Sequence, residues 1–78
     1  MNDQEYEYVL AVAVEGARDL IAEDEQIKKD EDKFHDKLFD IVLSEVDKSE
    51  YSYLEAKPVS EVCSEVESDI LHGDILGL

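Results

Sequence analysis

The sequence predicts an all-α fold, a small acidic bundle of three helices, with a fourth if a short third segment forms. Three observations carry that expectation. Apolar residues recur at three- and four-residue spacing in three separate segments. The connections between those segments are short and polar or marked by proline. Hydrophobic residues make up 44% of the chain, more than a disordered acidic polymer carries.

The first segment runs from about Asn2 to Ala22. Asn2 or Asp3 caps its start, and Glu5 and Glu7 sit favourably at the positive end of the helix dipole. Tyr6, Leu10, Ala13, Ala17, Leu20 and Ile21 fall on one helical face. Tyr6–Tyr8 and Val12–Val14 also fit a strand, because they alternate and include β-branched residues. The alanines and the length of the segment favour helix. Gly16 weakens it by about 1 kcal/mol relative to Ala.

Residues 23–32 are polar with no core-facing pattern and read as a loop. Asp30 or Asp32 then caps a second helix reaching about Lys48, with Phe34, Leu38, Ile41, Val42 and Val46 as its apolar stripe. Lys48-Ser49-Glu50 marks a break. Ser52 and Glu55 suit a capping box for a short helix. Pro58 interrupts any helix running through it, and equally suits the first turn of a last helix. That last helix buries Val59, Val62, Cys63, Val66 and Ile70 and ends at Gly73, leaving an apolar tail with Ile75, Leu76 and Leu78.

All 78 residues form one small domain. Its 22 acidic and 7 basic side chains leave a net charge of −15, which repels nucleic acid and anionic membranes and attracts basic surfaces. Cys63 is the only cysteine, so no disulfide braces the fold. A lone thiol, with an acidic start lacking the features of an export signal, points to the cytoplasm. No apolar stretch approaches the roughly 20 residues that cross a bilayer.

The candidate functional residues are carboxylates in rows. Asp32, Asp36 and Asp40 repeat at i, i+4, i+8 on the second helix, and Glu61, Glu65 and Asp69 do so on the third. Each row places a charge about every 6 Å along its helix. One strand of B-DNA carries a phosphate about every 3.4 Å, so two or three rows side by side approach a duplex in charge density. Glu45 and Asp47 add to the second helix, and Glu23, Asp24 and Glu25 extend the field.

Other chemistry lacks a pattern. An EF-hand starting at Asp30 has His35 where glycine is needed and Ile41 where the final glutamate belongs. His35, His72 and Cys63 have no zinc spacing, and Cys63 reads as a core thiol. The sequence predicts no metal, no cofactor and no enzyme activity. Tyr51 and Tyr53 suit either an interface or a core edge.

His35-Asp36-x-Leu38-x-Asp40-x-Val42, then Glu45-Val46-Asp47-x-Ser49-Glu50-Tyr51, then Lys57 and Val62, resembles a group of small acidic phage-encoded anti-defence proteins of antirestriction and anti-CRISPR type. The stretch is also similar to the middle of the Ocr antirestriction mimics of B-DNA. The resemblance covers about a third of the chain and departs at Pro58, where the related proteins continue as helix. It implies an inhibitor, often dimeric, acting on a DNA-binding defence or host protein in the bacterial cytoplasm. The partner expected is therefore a basic DNA- or RNA-binding protein, with no direct contact to nucleic acid or membrane and a possible homodimer. The alternative is an acidic interaction module that binds a non-nucleic-acid surface through its apolar tail and Tyr51/Tyr53.

Overall fold

The computed structural model describes residues 1–72. It contains three α-helices, α1 (Asp3–Glu23), α2 (Glu31–Asp47) and α3 (Ala56–Leu71), with a short 3-10 turn at Glu25–Lys29. No strand occurs among the described residues, and each helix packs on the other two. The chain is an all-α bundle.

Local chemistry sets the helix ends. Asn2 caps α1 by accepting from the Glu5 N–H, and the Glu5 carboxylate accepts from the Asn2 N–H, each at 2.8 Å. That reciprocal pair satisfies two N–H groups the helix cannot bond internally. Asp24 ends α1 and accepts from the Gln26 N–H at 3.0 Å, so one side chain turns the chain from α1 into the 3-10 segment. Asp30 does the same for α2, accepting from the Lys33 N–H at 3.1 Å.

Residues 24–30 are thus an ordered, doubly capped turn rather than a plain loop, with Glu23 in α1 and Glu31 and Asp32 in α2. Its anchor is Ile27, only 3% exposed, which joins the core as the one apolar side chain in that stretch. A single residue in a five-residue turn generates no periodicity, which is why the pattern reading passed over it.

The expected short helix after Lys48 does not form. Residues 48–54 are turns held by Ser49, whose hydroxyl donates to the Val46 carbonyl at 2.7 Å and accepts from the Tyr51 N–H at 3.0 Å. Ser52 is exposed, and Glu55 is the residue preceding α3 with no side-chain capping bond. Pro58 is the third residue of α3, where its missing N–H costs no intrahelical bond. Gly73, expected to end this helix, lies outside the described residues, as does the apolar tail.

The α2 and α3 stripes pack as the periodicity predicts. Phe34, Leu38, Val42 and Val46 from α2, and Val59, Val62, Cys63, Val66 and Ile70 from α3, are all buried, with Ile41 half-buried. The α1 face is rotated from expectation. Val9 is fully buried while Tyr6 and Leu10 are half-exposed, so the core row is Val9, Ala13, Gly16 and Ala17, closed by Leu20 and Ile21, with Ala13, Ala17, Leu20 and Ile21 buried as expected. Its residues are mostly small, which lets neighbouring helices come close. A Cβ on Gly16 would lie 3.1 Å from Ile41 Cγ2 and 3.3 Å from Leu38 Cδ1. The glycine that weakens α1 as an isolated helix is the point where α2 lies against it.

Candidate functional site

The acidic residues singled out by their spacing are all exposed except Asp69, which is half-buried. Helical rotation groups Asp32, Asp36, Asp40 and Asp47 on the outward side of α2. Glu45 belongs elsewhere. It turns toward α1 and lines a groove with Val12, Glu15, Gly16, Asp19 and Ile41.

The two rows are not laid next to each other. Asp32 and Asp36 border a hollow between α2 and α3 that also involves Glu31, His35, Ser64 and Glu67. Glu65 instead faces α1, accepting the Tyr6 hydroxyl at 2.7 Å. That bond, with the nearby charges of Glu65 and Asp69, pushes the Tyr6 hydroxyl above its ordinary pKa. Glu61 and Glu65, one turn apart, share this side of α3. The α3 carboxylate that does face the α2 row is Glu67.

Glu67 is half-buried on the α2 side of α3. Its pKa is raised, chiefly by burial, against a lowering contribution from His35. His35 Nδ1 lies 3.1 Å from Glu67 Oε2, and His35 Nε2 lies 3.2 Å from Ser60 Oγ. One imidazole therefore bridges two sites on α3. The order carboxylate–imidazole–hydroxyl is that of an acyl-transfer relay, but the adjoining hollow presents Glu31, Asp32 and Asp36 where a developing oxyanion needs donors. The arrangement suits a tie between helices.

The tyrosines fold back on the bundle. The Tyr8 and Tyr51 rings meet at a centroid distance of 4.7 Å, tilted by 30°, with the Tyr53 ring 6.4 Å from Tyr51. The Tyr53 hydroxyl donates to Glu5 although the residue is 66% exposed. Tyr51 packs against the core edge. Cys63 is fully buried, its thiol pushed up to about 12 by burial and the Glu67 charge.

What spacing alone missed is neutralisation. The sole ion-pair contact within 4.0 Å among the described residues is His35–Glu67, so no Lys or Arg is closely paired with a carboxylate. Basic residues are also unevenly placed. Lys28, Lys29, Lys33 and Lys37 cluster around the start of α2, whereas the described chain beyond Lys57 has no Lys or Arg. α3 thus carries Glu61, Glu65, Glu67 and Asp69 with no basic residue after Lys57, whereas Lys33 and Lys37 share α2 with its acidic row. Counting lysines helix by helix, rather than carboxylates row by row, would have indicated this contrast.

No group of three or more metal-binding side chains converges among the described residues, and no described helix is long and apolar enough to cross a membrane. Comparison with family models, curated proteins and solved structures finds no match in any of the three.

Proposed function

We propose that this chain is an inhibitor of phage anti-defence type that mimics the charge of DNA and occludes the nucleic-acid-binding site of a bacterial defence or host DNA-binding protein. The observation that carries the reading is an elongated body whose carboxylates are left unneutralised. Setting aside Asp74, which lies outside the described residues, the net −15 becomes −14 over a long axis of 33 Å, about one charge per 2.4 Å. A B-DNA duplex carries one per about 1.7 Å, counting both strands.

The mechanism is competitive occlusion. Lys and Arg groups spaced for phosphates meet carboxylates on a rigid helical frame, and long-range attraction speeds the encounter. Asp32, Asp36, Asp40 and Asp47 form one contact row, and Glu61, Glu65 and Asp69 another on the far side of α3. Glu45 extends the field into the α1–α2 groove. Because the rows occupy different edges, the target wraps the body or meets it along one edge.

A bacterial lysate passed over the immobilised chain at low salt tests this. Captured proteins should be nucleic-acid binders, leave as salt rises, and be displaced by excess duplex DNA. A captured partner indifferent to both salt and duplex sinks the reading. The alternative interaction module draws on the exposure of Tyr53. It predicts that deleting residues 74–78, or Tyr53→Ala, abolishes capture, while Asp32→Asn/Asp36→Asn leaves it intact.

A further inference from the structure

We propose that the outward face of α1 is a self-association surface on which two copies of this chain pack antiparallel about a two-fold axis. The inference stands apart from DNA mimicry and goes beyond it.

Every position from Val9 to Val14 is apolar, so α1 is apolar around its whole circumference there. The bundle covers Val9 and Ala13 completely, and Val12 takes the α2 side. Leu10, Ala11 and Val14 are left half-buried or exposed on the outer flank, in a shallow hollow edged by Glu7, Glu15, Arg18 and Asp19.

The order of side chains identifies the occupant. Glu7, Ala11, Val14 and Arg18 follow at spacings of four, three and four, the seam spacing of paired helices. Laid end for end on a second copy about the point between Val12 and Ala13, Ala11 meets the partner's Val14 and Glu7 meets the partner's Arg18. Each contact then occurs twice, as a two-fold interface requires. Small packs against branched at the centre, and opposite charges meet at both ends. A parallel pairing would set Glu7 against the partner's Glu7.

Arg18 singles out this face. It is the only arginine in the chain, is exposed, and has no carboxylate within 4.0 Å among the described residues. From Glu7 to Arg18 the seam is about 18 Å long, and a contact of that length falls below the ~1,200 Å² of a stable interface. The dimer is therefore weak and reversible. Each copy carries −15, so added salt strengthens association by screening repulsion between the copies. Binding to a basic target shifts the opposite way.

Sedimentation equilibrium of the full chain, from micromolar to millimolar concentration in low and high salt, tests the proposal. The expected result is a monomer–dimer equilibrium that tightens as salt rises. Arg18→Glu or Glu7→Arg alone should weaken it about tenfold or more, since each reversal alters two symmetry-related pairs. An equimolar mixture of the two variants should associate again. Both positions are exposed, so helical circular dichroism should be unchanged. A wild type that stays monomeric throughout, or association indifferent to either reversal, overturns the proposal. So does a dimer abolished by deleting residues 74–78 but not by Arg18→Glu. The lysate experiment reads target binding, so either idea fails without the other.

Discussion

Glu5 joins the start of α1 to the turn before α3 through Tyr53. One carboxylate oxygen accepts the Asn2 N–H at 2.8 Å, and the other accepts the Tyr53 hydroxyl. A residue that reads as a first-turn acid is 8% exposed, because Tyr53 lies over it. The contact links positions 48 residues apart.

An alkaline titration checks this link. The Tyr53 hydroxyl is pushed up to about 12, first by its bond to Glu5. A tyrosine with a raised folded-state pKa contributes stability that is full below its ordinary value of 10.0 and lost as pH climbs through about 12. Ultraviolet titration should show one ring ionising last, and Tyr53→Phe should remove that final step. A last step surviving the substitution disproves the assignment.

On the acid side two glutamates act with opposite sign. Glu5 is lowered from 4.5 by the Asn2 N–H and the Tyr53 hydroxyl, so its stabilisation is present above 4.5 and fades as pH drops through its folded pKa. Glu67 is raised above 4.5 by burial, so its contribution is full below 4.5 and lost as pH rises through its folded pKa. Urea denaturation should show stability increasing from neutral pH toward the upper carboxylate range, then falling below it. Glu67→Gln should flatten the upper limb and leave neutral-pH stability equal or higher. A loss above ~1 kcal/mol at neutral pH would mean that attraction to His35 outweighs the cost of burial.

Gly16→Ala sets helix propensity against packing. The substitution gains about 1 kcal/mol of propensity, but the new methyl must displace Ile41 Cγ2 at 3.1 Å and the buried Leu38 Cδ1 at 3.3 Å. We expect a net change within ~1 kcal/mol of zero, and a favourable coupling of ~0.5 kcal/mol or more when Ile41→Ala is added. Strict additivity in the double mutant would show that the helices do not meet there.

Cys63 should report on unfolding. Its thiol is fully buried and its pKa is about 12, so little thiolate exists at neutral pH and reagents cannot reach it. Reaction with a disulfide reagent should be slow in buffer and fast in urea, following the circular dichroism transition. Rapid labelling of the folded protein would contradict this placement.

The helices were legible where one apolar stripe faced one core. Phe34, Leu38, Val42 and Val46 and the α3 valines announce their inner face because Asp and Lys dominate the opposite side of α2, and Glu and Ser the opposite side of α3. The same reading misassigned Leu10, since a run apolar on every side has no preferred phase. Ile27 and Ser49 escaped for a different reason. Each acts as a single residue in a turn, through burial or a hydrogen bond, and leaves no repeating trace.

Composition and spacing by themselves determined the charge, the all-helical class, the inner faces of α2 and α3, and the presence of carboxylate rows. These depend on local propensity and on periodicity within one element. Only the tertiary structure decided which rows become neighbours, that Glu67 rather than Glu65 faces α2, that Tyr53 reaches Glu5, and that one flank of α1 stays uncovered. The reason is physical: a helix's sequence specifies what each face carries, but the rotation and crossing of packed helices determine what each face meets.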